Sequence, residues 1–167
     1  EEYEPDKFSA PNVFTVSVEE PSQLTRDNFR KWIDEHDCER CVIEYNGMWM
    51  LDELYQALPE GEERFDRIVS NPPYIRSDVV DTLMPEVREH EPRMALDGTP
   101  DGLFFYREIT KGAGRWLVPG GSLYYEIGHD QAEDVRAILE QEGFGEIRVV
   151  QDYAGLDRVI CGTLKKR

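Results

Sequence analysis

Residues 65–78 read FDRIVSNPPYIRSD, and the fold turns on how this stretch is understood. A strand-forming run, Phe65 to Ser70, stops at Asn71-Pro72-Pro73-Tyr74. Two consecutive prolines continue neither a helix nor a sheet ladder. Each proline also pushes the residue before it into extended geometry, so Asn71 and Pro72 are stiffened in turn. The stretch therefore predicts a strand that presents the Asn71 amide and backbone carbonyls no sheet partner claims. In an open α/β sheet, ligands collect outside the carboxyl ends of strands, where this tip would lie. Rigid carbonyls in a cleft can accept both hydrogens of an –NH2 group, and Tyr74 can flank a planar group by stacking. The plainer reading of the same four residues is a structural turn.

Working outward towards the C-terminus, residues 76–98 read as a polar loop with at most a short helical turn. Asp101 is placed to cap a helix from Gly102 to Leu117, with Leu103, Tyr106, Ile109, Ala113 and Trp116 or Leu117 on one face. Pro119-Gly120-Gly121 turns the chain into a strand from Ser122 to Ile127. Residues 130–142 form a further helix with Gly143 past its end. Two strands, 147–151 and 158–164, come next with a short loop between them and are expected to pair antiparallel. Strands alternating with helices predict an α/β domain with a parallel sheet and helices on both faces.

Towards the N-terminus the pattern is less regular. Residues 1–11, EEYEPDKFSAP, read as an irregular lead-in, and 12–18, NVFTVSV, as a strand. A helix is expected from Pro21-Ser22 to about Glu35, with Leu24, Phe29, Trp32 and Ile33 apolar. CVIEYNGMWML (41–51) reads as a hairpin around Asn46-Gly47, and 52–58 as a short helix or loop.

Composition narrows the function classes. The chain has 167 residues, about one domain. It carries 19 basic against 35 acidic residues, a net charge of −16. Nucleic-acid affinity depends on neutralising phosphates, so a DNA- or RNA-binding role is disfavoured. No apolar run is long enough for a membrane span, and EEYEPDKF lacks the features of a signal peptide. Three cysteines do not make a disulfide framework. These features together predict a cytoplasmic protein.

The tip and its flanks resemble a known family. N-P-P-Y is the signature of class I methyltransferases that methylate planar nitrogens with S-adenosylmethionine. Within that group the chain is similar to the release-factor glutamine N5-methyltransferases (the PrmC/HemK family). The matching segments are FDRIVSNPPYI (65–75), PEVREHEPRMALDGTPDGLFFYREI (85–109), LVPGGSLYYEIGHDQAEDV (117–135), GF (143–144) and DYAGLDRVICGTL (152–164). NPPY alone leaves DNA adenine methylases open, but the other segments are more specific. The resemblance implies a Rossmann-like, mostly parallel seven-stranded sheet whose last strand is antiparallel. It implies methyl transfer to the glutamine of the Gly-Gly-Gln loop in peptide chain release factors. Asn71 would hold that amide through its side chain and lie beside the methyl donor. The Pro72 carbonyl would take the second hydrogen, and Pro73 and Tyr74 would complete the substrate site. An amide nitrogen is a poor nucleophile, so alignment and polarisation are the levers.

The first half departs from that pattern. The family binds its donor through a glycine-rich turn followed by an acidic residue, because glycines let backbone approach the ligand. Before Asn71 the only glycines are Gly47 and Gly61. Aligning 12–28 on the family's second strand puts Ser17 where a ribose-binding carboxylate is expected, with Glu19 or Glu20 as loose substitutes. DELYQALPEG (52–61) would put Glu53 and Leu54 near the adenine. On this reading residues 1–64 are a diverged or truncated N-terminal part of the domain and 65–167 its C-terminal half. Weak or absent donor binding is then expected, as is pairing between chains through exposed sheet edges. The alternative to an enzyme is an interaction module that has lost donor binding.

Other groups have plainer readings. Cys38-Glu39-Arg40-Cys41, with His36, Cys161, His90 and His129, has zinc-like spacing but reads as structural. Asp157 and Arg158 are expected to pair and fix the last hairpin. Trp49 and Met48 read as hairpin core. Glu126 could touch substrate or donor, or be held by backbone amides.

Overall fold

In the computed structural model, residues 14, 16–18, 20–37 and 64–165 are described. The chain divides into two compact units, 1–63 and 64–167.

In the first unit a 3-10 turn, Pro21–Gln23, leads into helix α1, Arg26–His36. The helix begins later than Pro21-Ser22 because Thr25 is the cap. Its Oγ1 accepts from the Asn28 N–H at 3.2 Å, satisfying one of the amides a helix start leaves open. Asp37 closes the other end in the left-handed region, φ 46°. Phe29 is buried and meets Trp32 edge-on at 5.5 Å, as the apolar spacing predicts. Phe14, Val16, Ser17 and Val18 lie in no strand. The expected hairpin at 41–51 and the segment 52–58 lie outside the described residues.

The second unit contains β1 (Phe65–Ser70), three single helical turns α2 (Ser77–Val80), α3 (Pro85–Arg88) and α4 (Arg93–Leu96), then α5 (Phe104–Trp116), β2 (Leu117–Glu126), α6 (Ala132–Gln141), β3 (Phe144–Gln151) and β4 (Asp157–Leu164). The sheet order is β1-β2-β4-β3. β1 runs parallel to β2, and β4 lies antiparallel between β2 and β3. Three strands therefore share one direction and the last opposes them. That is the mostly parallel sheet with an antiparallel final strand that the resemblance implies. Among the described residues the sheet has four strands rather than seven.

Both long helices lie on one face of this sheet, where the alternation of elements predicted two covered faces. The steps β1→β2 and β2→β3 move the same way across the sheet, so two right-handed crossovers stack their helices together. Tyr106 and Ala113 of α5 and Val135 and Leu139 of α6 share one core with Leu123 and Tyr125 of β2, Phe144 and Ile160. Burial of each large apolar side chain here stabilises by about 1.5–3 kcal/mol. Buried hydroxyls beside this core are provided for: Thr110 Oγ1 lies 2.6 Å from the Tyr106 carbonyl and 2.8 Å from the Tyr125 hydroxyl. The opposite face carries the cross-strand row Val69, Tyr124, Cys161 and Arg148, with Val69 77% exposed.

β2 begins at Leu117, not after the glycines. Pro119-Gly120-Gly121 bulges within the strand, so that Phe65 faces Leu117 while Arg67 faces Ser122. Gly120 has φ 90°, and a Cβ on Gly121 would stand 3.0 Å from the Asp66 carbonyl oxygen. The positive φ explains Gly120 and the close backbone approach explains Gly121.

Candidate functional site

The ladder places the tip. Ser70, the last residue of β1, pairs with Tyr125, so Asn71–Tyr74 emerges beside the carboxyl end of β2 at Glu126. Asn71 to Tyr74 belong to no helix or strand; Asn71 is exposed, Pro72 buried, and Pro73 and Tyr74 half-buried. Among the described residues no hydrogen bond engages the Asn71 side chain or the Pro72 carbonyl. These are the two groups expected to receive a substrate amide.

Beyond the tip the chain is firmly held. The Ile75 N–H donates to the Leu96 carbonyl at 3.1 Å, and the Gly98 N–H donates to the Ile75 carbonyl at 2.8 Å. The Ser77 hydroxyl donates to Asp97 Oδ1 at 2.6 Å, and the Thr99 N–H donates to the same oxygen at 2.9 Å. The Ser77 hydroxyl, then the Thr99 amide, hold the Asp97 carboxyl below its ordinary value. Gly98 and Gly102 press against the tip itself. A Cβ on Gly98 would come within 2.7 Å of Tyr74 Cα, and one on Gly102 within 2.6 Å of the Tyr74 carbonyl oxygen. Gly102 also sits at φ 71°, and only glycine permits that approach. The predicted polar loop 76–98 is thus three helical turns whose end returns to brace β1's exit.

Tyr74 is committed at both ends. Its hydroxyl donates to Glu126 Oε1 at 3.2 Å, and its carbonyl accepts from Gln131 Nε2 at 3.0 Å. Burial and then the Glu126 carboxylate raise the phenol above its usual range, so it stays protonated and donates. Glu126 was expected to meet either a ligand or backbone amides; its partner here is the Tyr74 hydroxyl. Beneath them Tyr106 donates to the Glu126 carbonyl at 2.9 Å, its own phenol pushed far up by burial.

The final hairpin is fixed differently from expectation. Arg158 pairs with Asp152, not Asp157, through Nη2 at 3.2 Å, and Nη1 reaches the Ile127 carbonyl at 3.4 Å. Adjacent residues on a strand point to opposite faces, so Asp157 and Arg158 cannot easily meet. Asp157 accepts from Gln151 Nε2 at 3.0 Å instead. Asp152 Oδ1 accepts the Leu156 and Ala154 N–H groups and so closes the loop. The Leu156 amide is the main reason that its carboxyl lies below the ordinary range.

Glu53 and Leu54, the residues expected near a donor adenine, lie outside the described residues, as do Glu19, Met48, Trp49 and the Cys38–Cys41 pair. Ser17 and Glu20 are exposed in the first unit. His36 stacks on Phe14 at 4.5 Å, and Cys161 is a free, half-buried thiol in the second. Sequence reasoning assigned no role to Gln131, Gly98 or Gly102. The signal available was a pair of glycines, Gly98 and Gly102, in the non-helical stretch directly before α5, where glycine marks a turn or a close backbone approach.

A sheet with this strand order, carrying an N-P-P-Y tip at the end of a parallel strand, is class I methyltransferase-like. Comparison with known proteins narrows the class. No family model matches the chain. The release factor glutamine methyltransferase of Caulobacter vibrioides is 53% identical over 103 residues, which is 62% of this chain and 36% of that protein. The protein of the same name from Agrobacterium fabrum is 58% identical over 97 residues, 58% of this chain and 34% of its own length. That of Clostridium acetobutylicum is 52% identical over 111 residues, 66% and 39% of the two lengths. Among solved structures, the release factor-specific protein-(glutamine-N5) methyltransferase of Alicyclobacillus acidocaldarius aligns at 30% identity and TM-score 0.39, over 61% of this chain and 50% of that one. A methyltransferase from Pyrococcus furiosus aligns at 16% identity and TM-score 0.44, over 85% and 58%. The similarity to release factor glutamine methyltransferases read from NPPY and its flanks is thereby shown. The chain spans 34% to 39% of the length of these three curated relatives.

Proposed function

We propose that residues 64–167 form the substrate-holding half of an S-adenosylmethionine-dependent N-methyltransferase that acts on the glutamine side chain of peptide chain release factors. One observation carries this reading. Asn71 and Pro72 directly follow a parallel strand with their side-chain amide and carbonyl unengaged among the described residues, while the residues after them are braced. A planar –NH2 group needs two acceptors at fixed positions, and a rigid Asn-Pro carbonyl pair offers them. Held there, the nitrogen is aligned towards an electrophile, which is where most of the rate for a poor nucleophile must come from. The donor, when bound, supplies an electrophilic methyl group. Asn71 and Pro72 fit the acceptor amide, whereas the sequence holds no glycine turn to fit the donor.

That imbalance favours a second reading: a module that keeps the glutamine-holding tip and binds donor weakly or not at all. Residues 1–64 would then be a diverged part of the domain. Losing glycine amides and a ribose carboxylate removes several hydrogen bonds, each worth about 0.5–1.5 kcal/mol. The deciding experiment titrates the chain with S-adenosylmethionine by calorimetry, then offers it a release factor and measures glutamine methylation by mass spectrometry. Methylated glutamine supports the enzyme. Peptide binding without donor binding supports the module. A release factor neither bound nor methylated would overturn both. In either case the expected setting is cytoplasmic, without nucleic acid as substrate, and no helix of the described residues is long and apolar enough to cross a membrane.

A further inference from the structure

Gln131 precedes α6, far from the tip in sequence, yet its side chain is 8% exposed and meets four groups. Nε2 donates to the Tyr74 carbonyl at 3.0 Å and to the Gly102 carbonyl at 3.2 Å. Oε1 accepts from the Gly128 N–H at 3.0 Å and lies 3.4 Å from the Tyr106 hydroxyl, whose one proton goes to the Glu126 carbonyl at 2.9 Å. Both hydrogens of the amide nitrogen are used, and the oxygen is held by the Gly128 N–H. The side chain thus ties together the exit of β1, the approach to α5, the turn after β2 and the core face of α5. Satisfying α6's own backbone would not require this. The Gln131 N–H already donates to the Gly128 carbonyl at 3.0 Å, and no side-chain cap bond is made to the helix.

We infer that Gln131 is the positioning residue of the tip: by taking the Tyr74 carbonyl it fixes the chain's path after Asn71-Pro72-Pro73, so that the Asn71 amide and the Pro72 carbonyl stay aimed at one point. The inference rests on the reading of those two groups as acceptors for a substrate amide. Its physical basis is the difference between the two carbonyls. The Tyr74 carbonyl is consumed by a buried, fully bonded donor, while the Pro72 carbonyl two residues earlier is left for a ligand. Ile75 is anchored to Leu96 and Gly98, and the Tyr74 hydroxyl to Glu126. What Gln131 adds is a hold on the Tyr74 carbonyl itself, which fixes the orientation of the peptide that links the tip to that anchor. Gly98 and Gly102 belong to the same device, since a side chain on either would displace the Tyr74 backbone that Gln131 holds.

Two substitutions of similar size separate this from a general core role. Gln131→Glu keeps an acceptor for the Gly128 N–H but turns an oxygen towards two carbonyls. Gln131→Met keeps the volume and removes the side chain's hydrogen bonds to Tyr74, Gly102 and Gly128. Amide hydrogen exchange on the whole chain reports the tip through Ile75 and Gly98, and the sheet through the β2–β4 ladder. We expect both variants to speed exchange at Ile75 and Gly98 by about tenfold or more while the ladder amides stay within about twofold of wild type. Where wild type methylates a release factor, we expect kcat to fall by about tenfold to 100-fold with the KM for S-adenosylmethionine unchanged.

Wild-type protection at Ile75 and Gly98 in Gln131→Met would overturn the inference. So would loss of the β2–β4 ladder in both variants, because Gln131 would then be a core residue and not a positioning one. A fall in turnover matched by an equal rise in the donor's KM would also overturn it. A wild-type chain that neither binds nor methylates a release factor refutes the proposed function, and the exchange data still decide whether Gln131 holds the tip.

Discussion

Asn71 is the residue on which the functional reading can be separated from the structural-turn reading. Its side chain makes no hydrogen bond among the described residues, so Asn71→Ala should leave the melting temperature almost unchanged, within about 0.5 kcal/mol of stability. In an active enzyme the same substitution should lower turnover by about 100-fold, because a misplacement of about 1 Å of the nucleophile is that costly. A structural turn would show the reverse: a clear loss of stability and activity falling only in proportion. Thermal melts and initial rates on this one variant check both. Asp97 offers a second test. Its carboxyl is held below the ordinary 3.8 by the Ser77 hydroxyl and the Thr99 amide. A carboxyl depressed in the folded state contributes stability above its unfolded value and loses it as pH falls through the folded one. Wild type should therefore lose melting temperature steadily below about pH 4, and Asp97→Asn should show a shallower loss over that range. An identical slope in the two proteins would show that Asp97 is not what ties Ser77 to Thr99.

Elements show where the sequence was informative and where it was not. β1, α5, α6 and the closing antiparallel pair come from local signals: β-rich runs, a 3.6-residue apolar period and glycines at turns. Their order also carried the sheet's directions. What sequence could not show was a choice between partners of similar chemistry. Arg158 had Asp157 beside it and Asp152 six residues away; strand alternation rules out the neighbour, and the loop that closes β3 onto β4 brings Asp152 to Arg158. The loop 76–98 hid three helical turns because each is four residues long, too short for periodicity to register. The exposed Asn71 and the stiff Pro72 after β1, the candidate acceptors, were legible from two prolines. The contact that holds the Tyr74 carbonyl was not, since Gln131 is 57 residues from Tyr74. The Pro119-Gly120-Gly121 bulge was read as a turn for a similar reason, as glycines mark either. It yields a prediction for β2. Gly121→Val puts a branched side chain 3.0 Å from the Asp66 and Val118 carbonyl oxygens, both backbone atoms at the bulge between the Phe65–Leu117 and Arg67–Ser122 pairs. It should destabilise by about 1–3 kcal/mol in denaturant titration. A loss under about 0.5 kcal/mol would mean that the bulge can relax.

At the scale of the whole second unit, the consequence of this topology lies at the β1 side of its sheet. Among the described residues β1 borders β2 and no other strand, and the row across the sheet face at that side begins with Val69, 77% exposed. Where a parallel edge strand carries an apolar outward residue, it invites strand addition, because its backbone N–H and C=O groups and the apolar side chain are satisfied by the same partner. Nothing along Phe65–Ser70 blunts this edge with a proline or a bulge beyond its first two residues. Acidic charge works against association. At a net −16, two copies repel over about 8–10 Å at physiological salt. The two effects scale differently. Repulsion is screened as salt rises, whereas strand pairing and burial of Val69 are not. Self-association should therefore strengthen between about 0.05 and 0.5 M salt, the range over which the Debye length drops below the spacing of paired strands' charges. Val69→Lys should abolish it by placing a charge at the edge while leaving the core unaltered, since Val69 takes no part in the cluster beneath the helices. Light scattering across protein and salt concentration measures this directly. A mass that stays monomeric at high salt would show the β1 edge to be closed, and a dimer that survives Val69→Lys would place the interface elsewhere.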